Sequence, residues 1–423
     1  MDTLQSILSL AWRSLVNRRF TAALTVASIA LSVMLLVGVE RIRSETRASF
    51  ASTISGTDLI VGARTGQVQL LLYSVFHIGN ATNNISWRSY QDVAAHPQVA
   101  WTIPLSLGDS HRGYPVLGTT PAYFEHYRYA RDRGLAFSAG GPFRDLYDAV
   151  LGAEVADALG YGIGDAIVVA HGASDVGFAR HEDKPFRVAG ILERTGTPVD
   201  QSVHVSLAAI EAIHAGWRGG APIPGLSLSP EQTRSMDLSP EAVTAVLVGL
   251  RSRIATFRVQ RFVNEYPEEP LLAILPGVAL SELWGLIGVA ENALLVVSVF
   301  VVVVGLFGML TALLTSLNER RREMAILRSV GARPGHVFAL IVGEAGFLTL
   351  LATALGLALL YGLLLLGRPL IEAHYGIHLA LGGPSGHEVL LLGAVLVAGL
   401  LVGSIPAYRA YRLSLADGLS IRV

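Results

Sequence analysis

Residues 318–336 read Asn-Glu-Arg-Arg-Arg-Glu-Met-Ala-Ile-Leu-Arg-Ser-Val-Gly-Ala-Arg-Pro-Gly-His. Uncharged apolar runs flank this stretch, from Ala293 to Leu314 before it and from Ala345 to Leu366 after it. Each run is long enough to cross a bilayer, which takes about 20 apolar residues at about 1.5 Å each. The stretch between them predicts a short charged helix with Met324, Leu327 and Val330 on one face and Arg321, Arg322 and Arg328 around the rest. Gly331 suits the left-handed position after a helix end, and Pro334 stops the helix from resuming. A rigid element that turns straight back into the membrane is suited to passing force from a soluble partner. The same arginines also serve as a topology signal, and for them alone the two readings are equal.

Two further apolar stretches, Phe20 to Val39 and Val389 to Tyr408, bring the expected crossings to four. The chain is 52% hydrophobic and only 15% charged, against about 25% charged in ordinary soluble proteins. The first stretch exceeds the hydrophobic region of a signal peptide and runs into Val39-Glu40-Arg41 without a small-x-small cleavage site, so a retained anchor is expected. A net charge of -1 supplies no basic field and excludes nucleic acid as a partner. The absence of cysteine excludes a disulfide framework, a thiol nucleophile and thiolate metal sites.

Parity places both termini and the loop around 315–336 on one side. Arg320, Arg321, Arg322, Arg328 and Arg333 in that loop, with Arg409, Arg412 and Arg422 in the tail, outweigh the single Arg368 of the third loop. The positive-inside rule then makes the termini cytoplasmic. The expected organisation is a cytoplasmic amphipathic helix at 1–19, membrane segments at 20–39, 293–314, 337–366 and 389–408, and an exported domain at 42–285. A cytoplasmic coupling helix at 315–336, a short exported loop at 367–388 and a cytoplasmic tail at 409–423 complete it. Within the exported domain, β-rich runs at Asp58 to Val61, Val99 to Ser106, Tyr114 to Leu117, Ala166 to Ala170, Phe186 to Leu192 and Ala245 to Leu250 predict strands. Helical patterns fall at Trp87 to Ala95, Glu154 to Leu159, Leu207 to Ala215 and Ile254 to Glu265. Their alternation predicts an α/β domain of small open sheets, with an irregular loop at Gly216 to Pro240.

Leu8, Trp12 and Leu15 mark the apolar face of the amino-terminal helix, either an elbow pressing on a cytoplasmic partner or an anchor lying in the headgroups. Glu344 stands one to two turns inside the third membrane segment. A carboxylate there costs about 2.5–3.5 kcal/mol at the helix centre and less near the interface. Pairing with a loop arginine or reaching the headgroups is the simpler role for it, an ion relay the sharper one. Of twelve histidines only His336 is cytoplasmic. His374 and His378 have ligand spacing, but Gly376 lies between them and no third ligand is evident, so no metal site is assigned. Neither a Gly-x-Ser-x-Gly elbow nor a His-Glu-x-x-His motif occurs, and no catalytic or cofactor-binding residue is expected.

Glu319-Arg320-Arg321-Arg322-Glu323, followed by Ile326-Leu327-Arg328-Ser329-Val330-Gly331-Ala332, resembles the signature of FtsX-like permeases, the family of MacB, LolC and LolE. The resemblance continues through Glu344 to Pro406-Ala407-Tyr408-Arg409-Ala410 with Leu415 and Leu419, which is similar to the family's closing motif. Upstream, Gly56-Thr57-Asp58-Leu59-Ile60-Val61-Gly62, Val116-Leu117-Gly118-Thr119-Thr120 and Val150-Leu151-Gly152-Ala153-Glu154 look like the MacB-type periplasmic core.

The resemblance implies four transmembrane helices with a large α/β periplasmic domain, a MacB-like core, inserted between helices 1 and 2, in the bacterial inner membrane. It implies a non-catalytic permease of a type VII ABC transporter, working as a homodimer, or as a heterodimer with a paralogous permease. A separate ABC ATPase subunit would hold the ATP and magnesium and dock on Glu319, Arg320, Arg321, Arg322, Glu323, Met324, Leu327, Arg328, Ser329, Val330, Gly331 and Arg333. A P-loop needs a lysine after glycine; the only lysine, Lys184, follows Asp183, so the ATPase is expected in a partner. ATP hydrolysis would then move the periplasmic domain against a periplasmic or membrane-lodged substrate, with a periplasmic adaptor or lipoprotein as a further partner. The alternatives are a lipoprotein-release subunit of the LolC and LolE kind, or a regulator of an external hydrolase or metal-related periplasmic system.

Overall fold

The computed structural model describes residues 19–79, 81–130, 132–171, 181–218, 221–222, 228–319, 324, 326, 328–329, 331–375 and 382–412. The amino-terminal amphipathic segment, with Leu8, Trp12 and Leu15, and the tail beyond 412 lie outside them. The chain divides into two compact units, one of membrane helices and one built on a sheet.

In the sheet unit the principal strands are β1 (Leu59–Ala63), β2 (Val99–His111), β3 (Tyr114–Thr119), β4 (Phe137–Gly140), β5 (Asp148–Leu151), β6 (Phe186–Leu192), β7 (Val203–Ser206), β8 (Ala245–Leu250) and β9 (Leu271–Ile274). They join in the order β9-β1-β8-β2-β3-β7-β5-β6-β4. Pairing is antiparallel except between β3 and β7 and between β5 and β6. The sequence predicts small open sheets, but β2 is 13 residues long and serves two neighbours. Its first half pairs with β8 and its second with β3, which fuses the halves into one continuous sheet. The predicted Ala166 to Ala170 strand is divided into Ala166–Ile167, on β6, and Ala170–His171, on β2.

Helices in the same unit cover the sheet. Two of them, Trp87–Ala94 and Thr256–Asn264, bury Val93, Val259 and Val263 against Val61, Val246 and Val248. The helix Leu207–His214 starts from Ser206, whose hydroxyl accepts from the Ala209 N–H at 3.1 Å, and buries Ala209, Ile210 and Ile213 with Val116 and Val205. Each of these valine and isoleucine side chains contributes about 1.5–3 kcal/mol on burial.

Four helices are long and apolar enough to cross a bilayer: α1 (Arg19–Thr53), α2 (Pro276–Glu319), α3 (Pro334–Tyr375) and α4 (Gly386–Arg412). Lipid offers no hydrophobic drive between helices, so close packing and interhelical polar contacts hold them together. Gly399 and Gly403, one turn apart on α4, lie so close to Thr349 and Ala345 of α3 that neither has room for a side chain. The Ser32 hydroxyl of α1 donates to the Val301 carbonyl of α2 at 3.2 Å. Outward, Val297, Phe300, Val304 and Phe307 of α2 are exposed, a surface that suits hydrocarbon.

Candidate functional site

The turn between α2 and α3 is built as its residues dictate. Met324, Ile326, Arg328 and Ser329 are helical. Gly331 then adopts φ +105°, a conformation that costs a residue with a Cβ about 1–2 kcal/mol, and its N–H donates to the Arg328 carbonyl at 3.1 Å. Beyond it, the His336 N–H donates to the Arg333 carbonyl at 2.9 Å as α3 begins.

Met324 is buried, in a cluster with Leu317 of α2, Val337, Leu340 and Ile341 of α3, and Ala407 and Ala410 of α4. The sequence groups Met324 with Leu327 and Val330 on one face; the structure turns Met324 inward and leaves Ile326 52% exposed. Arg328 is half-buried, and Ser329 and Arg333 are exposed. Glu319 ends α2. Arg320, Arg321, Arg322, Glu323, Leu327 and Val330 lie outside the described residues.

Glu344 stands ten residues after the start of α3, about 15 Å along its axis. It is buried and lines a cleft whose hydroxyls are Thr21 and Thr25 of α1 and Thr315 and Ser316 of α2. The carboxylate therefore faces its neighbouring helices and not the lipid. His374 belongs to the last turn of α3, and His378 lies outside the described residues.

At the other ends of these helices is a polar cluster that the sequence reading missed. Arg41, named there only at the end of the first apolar stretch, is buried. Its guanidinium donates to the Tyr361 hydroxyl at 2.9 Å and to the Gly382 carbonyl at 2.7 Å, and stands 3.6 Å from the Glu388 carboxylate. Glu388 in turn accepts from the Ser385 N–H at 2.9 Å, while the Ser385 hydroxyl accepts from the Glu388 N–H at 3.2 Å. That reciprocal cap, Ser-x-x-Glu before an apolar run, was the legible signal.

These features define a chain with four helices able to cross a membrane and a mixed α/β unit placed in sequence between the first two. A family model for the FtsX-like permease C-terminal region matches residues 295–415, and one for the MacB-like periplasmic core domain matches residues 22–256. The chain belongs to the MacB-like, FtsX-type family of ABC transporter permeases.

Among its relatives, the macrolide export ATP-binding/permease protein MacB of Rhodospirillum rubrum is 27% identical over 320 residues, covering 72% of this chain and 43% of that protein. The MacB protein of Nitrobacter winogradskyi is 24% identical over 430 residues, covering 97% and 59%. The chain thus spans about half the length of the curated relatives it matches. The periplasmic region of MacB from Actinobacillus actinomycetemcomitans is similar at 11% identity and a TM-score of 0.34, covering 55% of this chain and 94% of that one. The extracellular domain of the ABC-type transporter YknZ from Gram-positive bacteria is similar at 11% identity and a TM-score of 0.31, covering 52% and 99%.

Proposed function

We propose that this chain is the mechanotransmission subunit of an inner-membrane ABC transporter, with its termini and the Gly331 turn in the cytoplasm and its sheet unit in the periplasm. A separate ATPase docks beneath the turn, and the chain works as a homodimer. The observation that carries this reading is the burial of Met324 with side chains of α2, α3 and α4 together. A close-packed cluster transmits displacement because its members cannot move independently. A push on the turn is therefore shared by three membrane helices. The residues involved come from the coupling stretch and from the closing Pro406–Ala410 motif, so two distant family motifs form one mechanical part. The substrate is one already outside the inner membrane or lodged in it. Glu344, buried beside hydroxyls, serves to fix α3 against α1 and α2.

The test separates docking from folding. Ile326→Asp alters the exposed side of the turn, and Met324→Asp its packed side. With a co-expressed ATPase subunit, Ile326→Asp is expected to abolish co-purification and stimulated ATP turnover while thermal stability stays at the wild-type value; Met324→Asp is expected to lower both. Undiminished co-purification of Ile326→Asp would remove the turn as the docking surface. Reporter fusions at residues 100 and 325 that fall in the same compartment would remove the lever altogether.

A further inference from the structure

Asp109, His181 and His214 converge within the sheet unit, although they are distant in the chain. Gly108, at φ +149°, opens a bulge that shifts the register of β2 between Leu107 and Asp109. After it Asp109, Ser110 and His111 are buried in succession. His214 ends the helix Leu207–His214. His181 is held by its own backbone, whose N–H donates to the Val169 carbonyl at 3.0 Å. Each of the three side chains offers one ligand atom, and these atoms lie within 4.8 Å of one another.

We propose that Asp109, His181 and His214 bind one divalent transition-metal ion of the zinc class. The geometry supports this first. Two atoms each about 2.1 Å from a tetrahedral ion stand about 3.4 Å apart, and His214 Nε2 is 3.6 Å from Asp109 Oδ1. The second support is His181 itself. It is fully buried, 4.3 Å from the Trp217 ring and edge-on to His214 at 5.3 Å between centroids. Neither of its ring nitrogens has a hydrogen-bond partner among the described residues. A buried imidazole with two unmet nitrogens is costly, and coordination to a metal would satisfy one of them.

The donor set names the ion class. Two imidazoles with one carboxylate suit zinc and its neighbours, whereas magnesium and calcium take oxygen ligands. Lys184 is the group that opposes a cation here. Its ammonium is directed to the Ala215 carbonyl at 3.2 Å and to Asp183 at 3.8 Å. Bound metal would tie the β2 bulge, the end of the helix and the segment at His181 together.

The experiment uses the full chain in detergent micelles, without an oligohistidine tag, stripped with chelator and then dialysed against zinc chloride. Elemental analysis is expected to give one zinc per chain, and zinc is expected to raise the melting temperature. His214, at the rim, is replaced most safely; His214→Ala is expected to weaken binding by ~100-fold or more, since even outer-shell changes cost up to that much. Asp109→Asn should weaken it in the same direction, and His181→Ala should remove both the zinc and the thermal shift. Equal zinc binding by wild type and His214→Ala would overturn the proposal. So would binding that survives His214→Ala and disappears in a His374→Ala/His378→Ala variant.

Discussion

Arg41 and Tyr361, 320 positions apart in the chain, are joined by a 2.9 Å hydrogen bond from the guanidinium to the phenol oxygen. The same guanidinium faces Glu388, and the two side chains are only 5% and 3% exposed. Removing one partner of a buried pair leaves the other charge without compensation and costs about 3–5 kcal/mol. Arg41→Ala is therefore expected to lower the stability of the membrane unit by about that amount. Arg234→Ala breaks an ion pair with Asp145 that is 42% and 49% exposed, and is expected to cost under about 1 kcal/mol. Arg41→Met combined with Glu388→Gln, which removes both charges, should recover most of the loss. Thermal unfolding of the four proteins in one detergent checks the order; equal melting temperatures for Arg41→Ala and Arg234→Ala would contradict it.

The contrast between Arg41 and Gly331 shows how far the sequence could be read. Gly331 was legible because its signal is local: a charged helical stretch, then glycine, then proline three residues on. Arg41 was not, because its partners come from α3, α4 and the segment before α4, and only the folded bundle brings them together. The sheet divides in the same way. Runs of six or seven β-rich residues at Phe186–Leu192 and Ala245–Leu250 announced themselves. Phe137–Gly140, Asp148–Leu151, Val203–Ser206 and Leu271–Ile274, of four residues each, did not. Asp148–Leu151 is buried on both faces and so shows no alternation to read. In the candidate metal site, Asp109 is brought inward by a bulge, which leaves no periodic trace.

Gly399 tests the packing of α4 on α3. Thr349 is fully buried and its hydroxyl donates to the Ala345 carbonyl at 2.8 Å, so it cannot move aside for a side chain at Gly399. Gly399→Val is expected to cost about 1–3 kcal/mol through overpacking. Gly393, on the same helix, meets nothing within 4 Å, and Gly393→Ala should leave stability unchanged. A melting comparison that ranks the two variants the other way would refute this contact.

Gly331 tests the turn. With φ at +105°, Gly331→Val is expected to strain the backbone by about 1–2 kcal/mol. Gly335 has open space and no positive φ, so Gly335→Ala is the matched control. Because the turn is local, the expected result is a loss of ATPase stimulation with membrane insertion retained. Wild-type stimulation in Gly331→Val would show that this conformation is not required.

His204 makes the stability of the sheet unit depend on pH. The residue is fully buried, with Tyr123 at 5.0 Å, and its Nδ1–H donates to the Val150 carbonyl at 3.3 Å. Burial, and then the proximity of His77, lower its pKa to about 3 against a weaker opposing effect of the Val150 contact. The folded chain thus keeps this imidazole neutral where the unfolded chain, with an ordinary value near 6.5, takes up a proton. Stability from this group is fully present above pH ~6.5 and is lost as pH falls toward the folded value. Between pH 7 and pH 5 the loss is about 2 kcal/mol. His204→Gln removes the titration, so its unfolding free energy should fall less steeply over that interval, whatever its starting stability. Parallel pH profiles for wild type and His204→Gln would show that His204 is already protonated, or already solvated, in the folded protein.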